Sequence, residues 1–295
     1  IMVDISRQTT GVSLPSELSS EIWANAVEAS LIMSVSRQIA LPGSGVTVHS
    51  ITGEPVAEWT GETASKPVDR HTLDNKAITP YKLAVIEPFS MEFRRDLPGL
   101  YSELARRLPF ALAKKFDETV FSDGTGYGAL ANFDFLGDST TAQTVDSTST
   151  IDDLVAAYQK VSAAGGDISS WLASPTLVGL LITANSQTQG FDLSSSAQVG
   201  SVFGAPVYKT RVPLPSGATP ALDTIGYAGD FQADTVWGSV EGVQVSISDQ
   251  ATLDDNGTPI NLWQQNMFAV RAEIEVGFRA SDVNRIVKLQ ADDGA

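Results

Sequence analysis

The chain has 295 residues, a formal net charge of −16 at pH 7, no cysteine and two histidines, His49 and His71. It is long enough to bury a sizeable core, whereas disulfides, cysteine nucleophiles and cysteine-ligated zinc are excluded, and a multi-histidine metal site is close to excluded. The acid excess disfavours sequence-specific nucleic-acid binding, because most of such a surface repels phosphate. No apolar stretch is long enough to cross a bilayer and no signal pattern opens the chain, so we expect a soluble protein.

The first part of the chain predicts an arm followed by a helix. Residues 1–14 show neither helical nor strand periodicity, and we interpret them as an N-terminal arm. Residues 19–41 keep an approximate three-to-four spacing of apolar side chains as far as Pro42, which predicts one amphipathic helix capped by Ser19 or Ser20.

A long two-stranded excursion is predicted next. From Val46 the apolar period changes to two, and extended character returns at residues 78–89. The residues between carry many charged and few apolar side chains. Because an isolated hairpin of this kind cannot bury a core within its own chain, we expect residues 46–83 to lie on a neighbouring subunit.

Residues 92–121 predict a long helix, since leucines recur on one stripe with arginines on the opposite face. Pro109 removes a backbone hydrogen bond and crowds the preceding turn, which predicts either a kink or two abutting helices. Basic residues crowd this same segment. We interpret them as a solvated face, with an acidic partner or a packaged polyanion as the alternative.

The second half of the chain predicts a separate mixed unit and then a return to strands. A glycine-rich loop at residues 122–137 and a Ser/Thr-rich link precede an amphipathic helix at residues 151–165, capped by Thr150 or Asp152. Three later features are a turn between two strands at residues 238–242, a long extended run at residues 261–280 and a short strand at residues 285–289.

Two features resemble enzyme signatures but lack the neighbouring elements or motifs that those enzymes need. The string GTGYGA at residues 124–129 fits a dinucleotide fingerprint, but a helix rather than a strand enters the loop, so we interpret it as a turn. A serine hydrolase would need His49 or His71 as its base, and no G-x-S-x-G string is present. Both histidines are therefore interpreted as polar side chains on exposed strands.

The order of these segments resembles the major capsid protein of tailed bacteriophages, which has the Hong Kong 97 fold. The strings that carry the resemblance are LPSELSSEIWANAVEAS, ITGEPVAEWTGETASKP with ITPYKLAVIEPFS, FDETVFSDGTG, VFGAPVY, YAGDFQADTVWG, and QNMFAVRAEIEV with RIVKL. The resemblance covers nearly the whole chain, and the strings look most like the capsids of phages that infect Actinobacteria.

The resemblance implies an α+β fold with a peripheral domain, an axial domain, an extended loop and an N-terminal arm. The implied segments are 1–14 for the arm, 15–45, 84–136 and 263–295 for the peripheral domain with its long spine helix, 46–83 for the extended loop, and 137–262 for the axial domain.

The resemblance also implies a structural role without enzyme activity or cofactor. Hexamers and pentamers would form an icosahedral head in the host cytoplasm, with scaffolding, portal and decoration proteins as partners, and the virion would hold double-stranded DNA by non-specific contact. An acidic chain suits a container that DNA must leave without sticking. The alternatives are an encapsulin-like compartment that encloses protein cargo, and a soluble α/β enzyme that uses the loop at Gly124.

Some members of this family cross-link themselves through a Lys–Asn isopeptide bond assisted by a glutamate. The matching residues are Lys76, or less favourably Lys66, as donor, Asn266 as acceptor and Glu273 as the acid. On one straight strand, residues seven apart lie roughly 23 Å apart and point to opposite faces, so a shared site needs different chains or a strong bend.

The alternative to a cross-link is an ordinary structural role for the same residues. In that interpretation Asn266 pairs with backbone, and Glu273 forms a salt bridge with Arg271 or Arg279.

Overall fold

The computed structural model describes residues 30–53, 58–60, 62, 66, 68, 72–91, 97–125, 130–187, 200–210, 212–215, 223–255 and 257–292. The predicted arm, the first half of the predicted N-terminal helix and parts of the predicted excursion lie outside these residues.

The elements of the first half are α1 (Leu31–Val35), β1 (Arg37–Ala40), β2 (Val46–Gly53), β3 (Thr72–Ile78), β4 (Tyr81–Ser90), α2 (Leu97–Phe121), β5 (Ala142–Val145) and α3 (Thr150–Ala163). Those that follow are β6 (Ser170–Ala173), α4 (Pro175–Gln187), β7 (Ser201–Val202), β8 (Ala205–Lys209), β9 (Thr224–Gly229), α5 (Phe231–Asp234) and β10 (Thr235–Ser239). The chain closes with β11 (Gln244–Ser248), β12 (Thr252–Asp255), β13 (Thr258–Asn261), β14 (Met267–Ala280) and β15 (Val287–Ala291).

A five-stranded sheet is organised around β14, the long extended run predicted from the sequence. β4 pairs along one edge of β14, β10 and β11 follow each other along the opposite edge, and β1 extends the sheet in parallel with β10. Apolar side chains such as Ile274 and Phe278 alternate along β14 with outward-facing Arg271 and Glu273, which is the period of a half-buried strand.

The predicted strands on either side of residues 238–242 exist, but within the described residues they do not form a hairpin with each other. Both pair with β14 instead, Ser239 opposite Val276 and Gln244 opposite Glu273. The chain therefore bulges and continues in the same direction, because the free edge of β14 is long enough to satisfy both segments.

The predicted long helix is confirmed as α2, which packs against the core of this sheet. Leu108, Leu112, Phe116 and Val120 recur every four residues and are each at most 2% exposed. Pro109 lies inside one uninterrupted helix of 25 residues, so the expectation of two abutting helices is wrong.

A six-stranded sheet in the order β5-β15-β9-β6-β8-β7 forms the second layer, with α3 and α4 packed on one face. Trp171 of β6 faces those helices, whereas its neighbour Leu172 faces the core of α2 and the five-stranded sheet. Because successive side chains of a strand point to opposite faces, both faces of this sheet are buried. The predicted amphipathic helix at residues 151–165 is confirmed as α3, but its N-cap residue is Ser149 rather than Thr150 or Asp152.

The two sheets do not follow the segment boundaries predicted from the resemblance. β10 and β11 fall in the predicted axial segment 137–262 and pair with β14. β15 falls in the predicted peripheral segment 263–295 and pairs with β5 and β9. The division into domains itself stays a prediction.

The predicted N-terminal helix ends six residues earlier than expected. α1 stops at Val35, and Arg37–Ala40 form a strand parallel to β10. The hydroxyl of Thr235 donates to the hydroxyl of Ser36 at 2.7 Å, and Ser36 is the residue between the end of α1 and the start of β1. The helical spacing of apolar residues continues through residues 37–40. Their backbone nevertheless forms hydrogen bonds with the open edge of β10, because pairing between distant segments overrides the local helical preference.

The start of α1 is held by a buried carboxylate of the long helix. Asp117 accepts from the hydroxyl of Ser30 at 2.6 Å and from the backbone N–H groups of Leu31 and Ile32 at 2.9 and 3.4 Å. Burial raises the pKa of Asp117 from 3.8 to about 6, although these hydrogen bonds to the carboxylate act in the opposite direction. One side chain therefore ties the N-terminal part of the described chain to α2.

The raised pKa of Asp117 predicts a pH-dependent contribution to stability. Because the folded-state pKa lies above the unfolded one, the stabilising contribution is complete below pH 3.8 and is lost as the pH rises to about 6. Between pH 4 and pH 7 we expect the free energy of unfolding to fall by about 2 kcal/mol more in the wild-type chain than in Asp117→Asn. Urea unfolding of both unassembled proteins across this range measures the difference, and parallel curves would refute it.

Candidate interface and cross-linking site

The predicted two-stranded excursion is found as an antiparallel pair, β2 with β3, but it is shorter than the predicted residues 46–83. Residues 81–83 begin β4 and pair with β14, because that long strand offers them a free edge. Val46 pairs with Ile78 at the base and Gly53 pairs with Thr72 at the far end of the described ladder. In the part of the chain that the structure describes, these two strands pair with no other strand. Trp59, between them in sequence, is fully exposed, so the hairpin presents a large apolar side chain to its surroundings.

The base of the hairpin is packed into the body through Ile78. This side chain is fully buried and lies in a small apolar cluster with Leu41 and Val236. A Cβ atom on Gly277 of β14 would come within 2.8 Å of the Ile78 side chain and of the Thr79 carbonyl oxygen. Glycine at this position of β14 is therefore what lets the hairpin base approach the sheet.

Three charged side chains meet beside this base, in what we call the Asp134 cluster: Lys76, Asp134 and Arg279, with the backbone of Ala280. The Lys76 ammonium donates to the Ala280 carbonyl at 2.9 Å and lies 3.9 Å from Oδ2 of Asp134. Asp134 accepts from Arg279 Nη1 at 2.7 Å and from the Ala280 N–H at 2.9 Å. The lysine predicted as a cross-link donor is thus engaged within its own chain.

The loop that carries Asp134 makes two further hydrogen bonds, one to the first residue of β4 and one to the segment that joins β3 to β4. The Tyr81 hydroxyl donates to the Ala131 carbonyl, and the side-chain amide of Asn132 donates to the Thr79 hydroxyl at 3.2 Å. The loop after α2 is therefore bonded to the chain directly after the hairpin base.

Asn266, the predicted acceptor, lies at the opposite end of β14. It is exposed, has a positive φ of 54° and ends the turn that leads into the strand. Its backbone carbonyl accepts from the N–H of Met91 at 2.9 Å, as the structural alternative expected. Asparagine is among the residues that adopt this conformation most readily, so a backbone reason for its presence exists beside any chemical one.

Glu273 lies in the middle of β14 among charged neighbours. It forms salt bridges with Arg271 at 3.3 Å and with Lys82 at 3.8 Å, and its side chain is 16% exposed. The predicted pairing with Arg271 is confirmed, whereas Arg279 pairs with Asp134 instead. A surface cavity of about 120 Å³ beside Glu273 is also lined by Lys82 and Glu275.

Within one chain the three predicted residues are not brought together. Lys76 bonds to the last residue of the 14-residue strand β14, and Asn266 precedes its first residue. At about 3.3 Å per residue these ends are separated by roughly 43 Å, and Glu273 lies roughly 23 Å from Asn266. A bond between these groups therefore requires at least two chains.

The enzyme-like motifs find no support in the described part of the chain. α2 runs directly into the loop of Gly124, so the strand that a dinucleotide site needs is not the element that enters. His49 lies in β2 opposite Asn75, and His71 lies outside the described residues. Among the residues described, no cluster of acidic and histidine side chains could hold a metal ion, and no helix is long and apolar enough to span a membrane.

Sequence reasoning missed Asp134 and considered Arg279 only as a partner of Glu273. Residues 76, 134 and 279 are far apart in the sequence, and no spacing rule connects them. The one available signal was that an acidic residue, Asp134, sits in a run of aromatic and apolar residues, where an unpaired carboxylate would be costly.

The chain matches known phage proteins along most of its length. A model described as "Phage capsid family" matches residues 10–291. The "Probable major capsid protein gp17" of Mycobacterium phage L5 is 28% identical over 295 aligned residues, which cover 94% of this chain and 88% of that protein.

Solved structures agree with this match. A chain from Mycobacterium phage Bobi superposes with a TM-score of 0.70 at 18% identity, covering 99% of this chain and 96% of that one. A chain from Mycobacterium phage Adephagia gives a TM-score of 0.69 at 20% identity, covering 89% of this chain and 90% of that one. These likenesses confirm the α+β capsid fold, and their sources agree with the predicted resemblance to actinobacterial phages.

Proposed function

Because the chain belongs to the phage capsid family, we propose that it is the major capsid protein of a phage and assembles as hexamers and pentamers into an icosahedral head around double-stranded DNA. Its role is that of a structural shell component. The observation that carries the proposal is the hairpin β2–β3, which forms its own two-stranded sheet and carries the exposed Trp59.

A hairpin of this kind needs a partner surface. Two strands alone are marginally stable in water, and an exposed tryptophan gains free energy when another surface covers it. The hairpin base is fixed in the body by Ile78, so the outer part extends away from the core that could cover it. A second copy of the chain is the partner that a shell supplies at every position.

The charge distribution suits a container for DNA. A net charge of −16 limits tight adsorption of the packaged polyanion. Basic residues are concentrated on α2, where Lys114 and Lys115 lie 3.7 and 3.8 Å from Glu118, so their non-specific contacts with DNA would be weak. Assembly in the host cytoplasm with scaffolding, portal and decoration proteins belongs to the same proposal.

Sedimentation of the purified protein, with nuclease digestion of the particles, tests this function. We expect megadalton particles, and particles from infected cells should protect double-stranded DNA from the nuclease. A stable monomer or small ring under all assembly conditions contradicts the shell. Megadalton particles that enclose protein and protect no DNA favour the encapsulin-like alternative.

We further propose that neighbouring subunits are joined by an isopeptide bond between Asn266 and a hairpin lysine, Lys76 or Lys66. The neutral amine attacks the Asn266 carboxamide carbon, a C–N bond forms, the bond to the amide nitrogen breaks and ammonia leaves. Glu273 of another chain takes the proton from the attacking amine and passes it to the leaving group. Lys76 must first leave the Ala280 carbonyl.

The cross-link predicts a ladder of covalent multimers when mature particles are boiled in denaturant. Asn266→Asp is expected to abolish the ladder, because a carboxylate does not accept the amine. Lys76→Arg and Lys66→Arg identify the donor, since arginine keeps the positive charge and cannot form the bond. Lys82→Arg is the matched control, because Lys82 lies beside Glu273 in its own chain and should leave the ladder intact. A single monomer band from mature wild-type particles would refute the cross-link.

A further inference from the structure

The hairpin β2–β3 is attached to the body of its chain at one end. Its apolar attachment is the small cluster of Ile78, Leu41 and Val236, which Val46 and Val48 of β2 adjoin. Apolar contact of this kind resists separation but has little directional preference. Something else must decide the angle at which the hairpin leaves the sheet.

The angle matters because the hairpin acts as a lever. From Val46 to Gly53 the described strand spans roughly 23 Å, so a pivot of about 10° at the base displaces Gly53 by roughly 4 Å. A displacement of that size exceeds the range over which a hydrogen bond keeps its geometry. A neighbouring subunit that receives the hairpin therefore requires its direction to be fixed.

The Asp134 cluster supplies directional bonds at the same base. Lys76 of β3 reaches the carbonyl of Ala280, the last residue of β14, and Asp134 binds the N–H of that same residue. Asp134 is in turn held by Arg279 at 2.7 Å. The hairpin strand, the end of β14 and the loop after α2 are thus bonded to one another at a single point.

Partial burial makes these bonds stronger than exposed ones. The side chains of Lys76 and Asp134 are 24% and 16% exposed, and that of Arg279 is 17% exposed. Solvent screens such charges less than it screens a pair on the open surface. The carboxylate also lies between two cations, so its loss would leave two like charges side by side and the Ala280 N–H without its acceptor.

We propose that Lys76 and Asp134 are positioning residues, which fix the direction in which the hairpin leaves the body and so set the geometry of contacts between copies in the shell. This inference rests on the proposed shell function. The anchoring role of Lys76 needs a cation that donates a hydrogen bond, whereas the cross-link needs a primary amine. The two roles are therefore separable by Lys76→Arg, which keeps the first and removes the second.

The test compares particles formed by Lys76→Gln, Asp134→Asn and Lys76→Arg with wild type. Lys82→Gln is the matched control, because it makes the same charge change on β4, where Lys82 faces Glu273 and Glu275 outside the hairpin. Electron microscopy gives the distribution of particle diameters, and thermal unfolding of the unassembled chains reports folding.

In Lys76→Gln and Asp134→Asn we expect about a tenfold loss in the fraction of subunits found in shells of wild-type diameter, with misshapen or open assemblies in their place. The unassembled Lys76→Gln chain should unfold at a temperature close to that of Lys82→Gln. Asp134→Asn should unfold at a lower temperature, because Lys76 and Arg279 are then left side by side without the carboxylate. Lys76→Arg and Lys82→Gln should form shells of wild-type diameter.

Wild-type shells from Lys76→Gln overturn the inference even if Asp134→Asn fails to fold. A loss of shells in Lys76→Arg equal to that in Lys76→Gln also overturns it, because a retained cation should suffice. If the wild-type chain forms no shell at all, the proposed function fails together with this inference, and that result is distinct from the other two.

Discussion

Replacement of residues 54–71 by a two-residue Asn-Gly turn is expected to leave a folded chain that no longer forms shells. Gly53 and Thr72 are cross-strand partners, so a tight turn can close the ladder between them without altering the register of β2 and β3. The two main apolar clusters contain no residue of the hairpin, and their packing should survive. Sedimentation should change from megadalton particles to small species, while thermal unfolding stays near that of the wild-type chain.

A second variant shows whether the removed residues act as a tether or through their side chains. An 18-residue Gly/Ser segment in place of residues 54–71 keeps the chain length but removes Trp59 and every charged group of that segment. We expect it to fold and to fail in assembly as the shortened chain does. Shells of wild-type mass from either variant would show that assembly does not depend on the side chains of residues 54–71.

Removal of the side chain of Trp237 is expected to give the largest loss of stability in the core. Trp237 is fully buried on β10, and its indole N–H donates to the Met33 carbonyl at 3.2 Å. Trp237→Ala therefore leaves a large cavity and a buried acceptor without its donor. We expect a loss of about 4 kcal/mol in the free energy of unfolding, which corresponds to about 10 °C in unfolding temperature.

Trp263→Ala is the matched control for this prediction. Trp263 is 72% exposed beside the start of β14, so its removal should change the free energy of unfolding of the unassembled chain by no more than about 0.5 kcal/mol. Urea unfolding of both variants measures the contrast. Equal losses in the two would mean that the core around β10 is not packed as described.

The elements that could be predicted from the sequence are those with a sustained apolar period. Buried residues of β14 alternate with more exposed ones from Val270 to Val276, and α2 repeats its apolar side chains at intervals of four past Pro109. The excursion was predicted from the change to a period of two at Val46 and from the many charged residues that follow. The separate argument that its few apolar residues cannot build a core predicted only its contact with a neighbouring subunit. The strands of this hairpin, Val46–Gly53 and Thr72–Ile78, bear out its extended, two-stranded form.

The sequence could not reveal where pairing between distant strands overrides local spacing. Residues 37–40 continue a helical pattern and nevertheless form β1, because β10 presents an open edge to them. β10 and β11 pair with successive parts of the same edge of β14. This arrangement depends on the length of β14, which follows both strands in the chain. Such outcomes depend on tertiary contacts rather than on local preference.

The candidate site was predicted in its residue types but not in its geometry. Glu273 pairs with Arg271, as the structural interpretation expected, while Lys76 is bound to Ala280 and lies beside Asp134, which sequence reasoning did not select. Contacts between charged residues from three distant segments cannot be predicted from the spacing of residues in the sequence. Their meeting is nevertheless what distinguishes an anchoring lysine from a merely exposed one.

A cryo-electron microscopy reconstruction of particles assembled from this chain tests the central claim most directly. We predict a closed shell of five- and six-membered rings in which β2 and β3 of each subunit lie across a neighbouring subunit. Discrete small oligomers, or a shell in which the hairpin folds back on its own body and contacts no neighbour, would contradict the proposed role of the hairpin.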